Sequence, residues 1–291
     1  MATTAEWVEG ARVRTLPAAV APVLVGTAVA WHAGSADAVR AVLAGVVALA
    51  LQLGVNFAND YSDGIRGTDA DRVGPLRLVG SGSASPAAVK AAAFGCFALA
   101  GVAGLALVVL TGQWWLLAVG VACILAAWYY TGGRRPYGYA GLGELFVFVF
   151  FGLVATVGTT FVQTLDVPWP AVAGGVATGA LASAILVANN LRDRAGDEVA
   201  GKNTLAVRLG DANTRRFYAA LVLTGALGVV ALAAGTTWWA LLGLLGLLVA
   251  IGPVRAVLSG AQGRDLIGVL KRTGIAEVLS AVGVLVGVVL A

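Results

Sequence analysis

Two stretches of this chain gather oxygen-bearing side chains at helical spacing. The first runs Asn56-Phe-Ala-Asn59-Asp60-Tyr-Ser-Asp63-Gly-Ile-Arg66 and continues through Asp69 and Asp71 to Arg72. The second runs Asn189-Asn190-Leu-Arg192-Asp193-Arg-Ala-Gly-Asp197-Glu198 and continues through Lys202 to Arg208. In each, an Asn is followed four residues later by an Asp, as Asn56/Asp60 and Asn189/Asp193. A further carboxylate follows at +3 (Asp63) or +4 (Asp197). Residues three or four apart share a helix face, so each set is expected to stack on one side. Acids grouped near membrane depth repel one another and are costly to desolvate. Hard divalent cations offset such charge, and Mg²⁺ binds through one or two carboxylates plus substrate phosphates. Asp60, Asp63, Asp193 and Asp197 are therefore the expected metal ligands and catalytic acids. Two clusters facing each other can clamp a diphosphate through bridging ions. Arg72, Arg77, Lys202 and Arg208 are expected on the remaining phosphate oxygens. A diphosphate neutralised in this way is a good leaving group. Solvated charges at helix ends are the plain alternative for either cluster alone. Matched spacing at matched positions favours a shared site, and neither segment has EF-hand spacing.

These side chains need a scaffold, and the composition says which. Hydrophobic residues make up 59% of the 291 positions and charged residues 12%, against roughly 25% charged in soluble domains. The natural solvent is lipid. Each crossing needs roughly 20 mostly apolar residues. Nine stretches qualify, at about 16–32, 38–60, 87–110, 114–132, 142–164, 169–190, 214–235, 238–258 and 269–290. Trp114-Trp115, Trp169 and Trp238-Trp239 open three of them and mark one membrane surface. Eighteen of the nineteen Lys and Arg fall on the other side, and only Arg40 is the exception. The positive-inside rule then puts the N-terminus and the long loops in the cytoplasm. The expected molecule is one polytopic all-α domain over 1–291, with cytoplasmic cap loops at about 61–86 and 191–213. The first fifteen residues carry Glu6, Glu9, Arg12 and Arg14 and no apolar run, so no cleaved signal is expected. Both acidic clusters lie on the cytoplasmic side. The 40 glycines suit close helix packing in a bilayer. Cys96 and Cys123 fall in apolar segments without a partner motif and read as buried small residues. His32, at the end of the first segment, reads as structural.

At the acidic clusters the sequence resembles the UbiA superfamily of intramembrane prenyltransferases, whose pattern is an Asn/Asp-rich motif after the second helix and a DxxxD motif after the sixth. The closer resemblance is to its menaquinone-pathway branch. It runs through Ala11-Arg-Val-Arg14-Thr-Leu-Pro17, Asn56 to Asp63, Gly67 to Arg77, Tyr129-Tyr130-Thr-Gly-Gly133, Pro136-Tyr137-Gly-Tyr139, Gly141-Leu-Gly-Glu144 and Asn189 to Leu205. It spans nearly the whole chain. Departures exist: Val13 stands where the branch usually has Pro, and Arg135 and Ala140 where it has Pro and Arg. The first motif often carries an acid four residues after its second Asp. Here that position is Gly67 and the acid follows as Asp69, a further candidate metal ligand.

The resemblance implies nine transmembrane helices around a central cavity, capped at the cytoplasmic end and open to lipid. It implies a multi-pass enzyme of the plasma membrane with Mg²⁺ as cofactor. Its substrates would be a polyprenyl diphosphate and 1,4-dihydroxy-2-naphthoate, its products demethylmenaquinone, diphosphate and CO₂, and no nucleic acid is a partner. An allylic cation formed on ionisation needs an electron-rich wall, for which Tyr129, Tyr130 and Tyr137 are placed. An interfacial aromatic belt is the ordinary alternative for each. Asn56, Asn59 and Asn189 are expected to contact substrate. Arg12, Arg14 and Arg134 are candidates for the acid's anchor, although Arg residues at cytoplasmic helix ends are also ordinary topology signals. Glu144 is expected to pair with an Arg, and Gln52 and Gln163 to line the cavity or bond across helices. Three rivals remain. A superfamily enzyme with another aromatic acceptor is disfavoured by the Gly-Pro-Leu-Arg run at 74–77. A transporter is disfavoured because its site would sit nearer the midplane. A CDP-alcohol phosphotransferase lacks its Ala-Arg after Asp63-Gly64.

Overall fold

A computed structural model describes residues 2–67 and 76–291. Asp69 and Arg72, two of the expected site residues, lie outside the described residues. The described chain is helical, without a strand. A short α1 (Thr4–Gly10) and a single turn (Val13–Thr15) lead into α2 (Pro17–His32). Then follow α3 (Ala38–Arg66), α4 (Pro86–Thr111), α5 (Leu116–Tyr129) and α6 (Gly143–Thr164). The chain ends with α7 (Trp169–Val199), α8 (Leu205–Gly235), α9 (Trp238–Leu258) and α10 (Asp265–Val289).

Local chemistry sets these ends. The Thr3 and Glu6 side chains close a reciprocal capping box on α1. Asp37 accepts from the Arg40 amide at the start of α3, and Ser85 caps α4 ahead of Pro86. Gly67 (φ 71°) and Gly112 (φ 70°) take the left-handed geometry that stops α3 and α4. Arg40, the one Lys or Arg of the described residues on the Trp side, donates to the Leu110 and Val162 carbonyls at the last turns of α4 and α6. A cation there complements two helix C-termini.

A helix covers each of the nine apolar stretches, but length and hydropathy carry fewer of them across a bilayer. Seven pass, namely α3, α4 and α6 to α10. The pair formed by Thr4–Thr15 and α2, bent by 49°, makes an eighth candidate, while α5 has only 14 residues. The expected boundaries also shift. α3 runs to Arg66 rather than 60 and α7 to Val199 rather than 190, while 205–209 is a short helical lead-in that breaks at Gly210 (φ 72°, ψ 175°) before α8 continues. Hydropathy registers only the apolar part of a helix, and nothing breaks these polar extensions until Gly67 and Ala200. The opening turns of both expected cap loops, 61–66 and 191–199, are therefore helical.

α7 is the central helix, with most of its apolar window buried. α6 and α8 reach it through glycine. A Cβ on Gly152 of α6 would lie 2.4 Å from the Gly179 Cα of α7, and one on Gly228 of α8 would lie 2.8 Å from Ala177. Such approach lets backbones pack where lipid supplies no hydrophobic drive. α2 and α10 pack on each other and on α7, and α3 carries α4 and α5. α5 has only sparse contact with α6. Trp114, Trp115, Trp169, Trp238 and Trp239 are all exposed, as an interfacial belt requires.

Candidate active site

α3, α4, α5, α6 and α7 enclose a cavity of about 860 Å³. Its length is apolar, with Leu105 and Val108 on α4, Ile124 on α5, and Phe146, Phe150 and Val154 on α6. Its other end is polar. There Asn59 and Asp63 from α3 face the same space as Asn189, Asp193 and Asp197 from α7. Two chain halves thus deliver both Asn and Asp side chains to a single cavity.

The matching register is Asn59/Asp63 with Asn189/Asp193, not Asn56/Asp60. Both Asn-plus-four pairs exist on α3, and burial selects between them. Asp60 is fully buried and does not line the cavity. Its carboxylate accepts the Leu78 and Val79 amides at 2.8 and 2.9 Å and so fastens the loop after α3. Asn56 lines the cavity, but its amide nitrogen donates to the Ala11 carbonyl and Thr15 Oγ1, both at 2.9 Å. Gln52 donates to the same hydroxyl at 2.8 Å. These two side chains hold the turn before α2. Gln163 bonds Thr27, the Thr159 carbonyl and the Asp37 amide, and is structural.

Cations sit among the acids. Arg77 and Lys202 each approach Asp63 to 3.7 Å, so the loop after α7 meets the acid of α3 directly. Arg192 grips Asp193 in a two-pronged pair at 2.7 and 2.8 Å, and also donates to Asn189 Oδ1 at 2.8 Å. Asn59 accepts from Thr131 at 2.7 Å. Arg66 donates to the Thr131 and Gly133 carbonyls and ties the end of α3 to the loop after α5.

Tyr139 joins the two motifs, a role that its place in the sequence does not announce. Its hydroxyl donates to Asp63 and its ring lies 4.7 Å beneath the Lys202 ammonium. Its carbonyl accepts the Asn203 amide at 3.0 Å. The signal in the sequence is the Pro136-Tyr137-Gly-Tyr139 run, whose two tyrosines take different neighbours, Tyr137 the aromatic wall and Tyr139 the acidic end. Arg192, adjacent to Asp193 in the sequence, likewise belongs to the site.

The tyrosines divide. Tyr130 and Tyr137 line the cavity and meet edge-on at 5.5 Å. Tyr137 stacks on Phe146 at 4.0 Å and donates to the Ala126 carbonyl. Burial holds its phenol above the ordinary range, so it stays neutral. Tyr129 is exposed and does not line the cavity, because one step along a helix turns a side chain by roughly 100°. Arg208 also misses the cavity; its exposed side chain lies against Gly141. Arg14 is exposed at the cavity rim. Glu144 accepts from Asn190 at 2.9 Å rather than pairing with an Arg.

The donor set fits a hard cation in kind, since carboxylate and amide oxygens from two helices converge. Among the described residues, no three His, Cys, Asp or Glu side chains gather closely enough to cage an ion alone. Mg²⁺ asks for no such cage: one or two carboxylates suffice when phosphate oxygens complete the shell.

Comparison with known proteins agrees with this architecture. Residues 19–265 match the model of the UbiA prenyltransferase family. The chain is 54% identical over 285 residues to a 1,4-dihydroxy-2-naphthoate octaprenyltransferase of Mycobacterium tuberculosis, covering 98% of this chain and 97% of that one. It is 42% identical over 226 residues to the Escherichia coli protein of the same name, covering 76% and 73%. A UbiA homologue from Aeropyrum pernix superposes with a TM-score of 0.72 at 16% identity, covering 93% and 96%. One from Archaeoglobus fulgidus, solved with DMAPP and Mg²⁺, gives 0.60 at 16% identity, covering 98% and 100%. An all-helical bundle, two acidic motifs at one cavity and these matches together place the chain in the UbiA prenyltransferase family.

Proposed function

We propose that this protein transfers a polyprenyl group from polyprenyl diphosphate to 1,4-dihydroxy-2-naphthoate, releasing diphosphate and CO₂. The observation that carries the reading is the convergence of Asp63, Asp193 and Asp197 on the polar end of an otherwise apolar cavity. Close similarity to two dihydroxynaphthoate octaprenyltransferases supports the choice of acceptor. The sparse contact between α5 and α6 supports a lateral entry for the prenyl chain from lipid. Nine crossings, with the N-terminus and the polar end of the cavity in the cytoplasm of a plasma-membrane protein, accord with the side on which Lys and Arg collect.

Asp63, Asp193 and Asp197, with Asn59 and Asn189, would hold Mg²⁺, which when bound supplies positive charge against the leaving diphosphate. Lys202 and Arg77 donate to phosphate oxygens with charge-assisted hydrogen bonds. Tyr139 keeps Asp63 turned toward the cavity and steadies Lys202 from below. As the allylic carbon–oxygen bond breaks, the faces of Tyr130, Tyr137 and Phe146 stabilise the cationic carbon by up to about 2 kcal/mol when dry. The same rings exclude water, which would otherwise capture the cation. The electron-rich naphthalene ring forms the new carbon–carbon bond at the carbon bearing the carboxylate. That carboxylate leaves as CO₂ and its bonding pair returns to the ring.

Purified protein in detergent should join a prenyl diphosphate to dihydroxynaphthoate with Mg²⁺ and stop in EDTA. Asp63→Asn and Asp193→Asn should lose at least about 100-fold in turnover, equivalent to about 2.7 kcal/mol, while remaining folded. Full activity in EDTA would overturn the metal assignment.

A further inference from the structure

The turn between α1 and α2 presents a guanidinium that the scheme above does not use. We infer that Arg12 anchors the carboxylate of the aromatic acceptor, and this rests on the prenyl-transfer reading. Arg12 lines the cavity, and its Nη2 is buried without a hydrogen-bond partner. A buried N–H left unpaired on a cation is costly, so such a group facing a cavity implies an acceptor that arrives with the ligand. Arg12, Arg14 and Lys271 all line the cavity, and no ion pair involves them among the described residues. Glu9, the acid that shares this wall, accepts the Leu76 amide at 3.1 Å. Arg77, Lys202 and Arg192, by contrast, are engaged with Asp63 and Asp193. The cavity therefore holds one set of cations engaged by Asp63 and Asp193, suited to a metal diphosphate, and a second set, Arg12, Arg14 and Lys271, outside those ion pairs and suited to a simple anion.

The backbone around Arg12 is built to present it. Arg12 sits in left-handed geometry at φ 53° and ψ 55°, which a residue with a side chain rarely adopts. Its carbonyl accepts from Thr15 Oγ1 at 2.9 Å. That hydroxyl in turn accepts from Gln52 and Asn56, and Asn56 also holds the preceding carbonyl of Ala11. Two polar side chains of α3 thus fix the turn on both sides of Arg12. α10 supports it from the other flank, where Gly274 packs beside Pro17 and the Arg14 carbonyl. A carboxylate is planar and matches the guanidinium fork, so Arg is the residue expected for an aromatic acid.

The test separates the two substrates. In Arg12→Gln the KM for dihydroxynaphthoate should rise roughly tenfold or more, while the KM for prenyl diphosphate stays unchanged. Arg12→Lys, which keeps charge but loses the fork, should fall between the two. Quenching of tryptophan fluorescence by 1-hydroxy-2-naphthoate and by 1-naphthol provides a readout without turnover. Arg12→Gln should weaken binding of the acid and leave that of the naphthol unchanged. An unchanged KM for the acceptor, or a rise confined to prenyl diphosphate, would overturn the inference. If Arg12→Gln fails to fold, Arg12→Lys decides by the same two KM values. If the wild-type protein makes no prenylated product, it is the functional reading that fails. Selective loss of the acid probe in the variant would then still uphold Arg12 as a carboxylate anchor, and equal binding would reject it.

Discussion

Asp60 and Asp63 stand one turn apart on α3, yet their surroundings separate their work. Asp60 spends both oxygens on backbone amides and sees no cavity. Asn at that position can accept on one atom only and turns an NH₂ group toward a backbone N–H. Asp60→Asn should therefore lower stability by roughly 2 kcal/mol, the range for a hydrogen bond to a charged group. Thermal unfolding in detergent measures this, and the remaining folded fraction should keep its specific activity. Asp63→Asn should do the reverse, sparing the melting curve and removing turnover. Equal behaviour of the two variants would refute the division. Tyr139 offers a second contrast. Tyr139→Phe keeps the ring under Lys202 but drops the bond to Asp63, and should slow turnover about tenfold, equivalent to about 1.4 kcal/mol. Tyr139→Ala removes both and should be slower again. Steady-state rates at saturating substrates report the order.

Length is the property of the elements that places the site. α3 has 29 residues and α7 has 31, so each spans roughly 45 Å against a hydrocarbon core of about 30 Å. Their last turns project beyond the apolar slab, and those turns carry the acids. Here acids can meet water, cations and substrate phosphates without sitting in hydrocarbon. α6 shows a different device. Its middle, Phe148–Val154, is π-helical, and its Gly152 presses on Gly175 and Gly179 of α7. The π-helical turns aim Phe150, Phe151 and Val154 into the cavity while the glycines hold the helix close. Gly152→Leu has no room for its side chain between two backbones. It should unfold the bundle or leave it aggregated, visible as loss of the monodisperse peak in detergent chromatography.

Over the whole molecule, charge and aromatic residues agree on an orientation that a direct experiment can check. In a background lacking Cys96 and Cys123, single cysteines at Ser35 and Gln262 should lie on opposite faces. Both positions are exposed at helix connections. A membrane-impermeant maleimide applied to intact cells should label the Ser35→Cys protein and reach the Gln262→Cys protein only after permeabilisation. Labelling of both from outside would break the parity of the topology. The glycine contacts between α6, α7 and α8 make the second half of the bundle tight. α5, packed on α3 and α4 and only sparsely on α6, leaves the first half open on one side.

The sequence by itself determined the solvent, the helical class, the sidedness of charge and the two clusters of oxygen ligands. Hydropathy and charge are local sums and need no knowledge of neighbours. It also named the helices that bear the clusters, although it ended them too early, because a polar turn and a polar loop look alike to a hydropathy window. Only the tertiary structure decided which acids work together. Asn56/Asp60 and Asn59/Asp63 share a spacing, and helix rotation against the α1 turn and the loop at 76–79 buries Asp60 in packing, engages Asn56 with the turn, and leaves Asn59 and Asp63 facing the cavity. The same holds for Tyr129 against Tyr130, for Arg208 against Lys202, and for the role of Tyr139. Direction across a helix depends on what is packed behind it, and that information resides in segments far away along the chain.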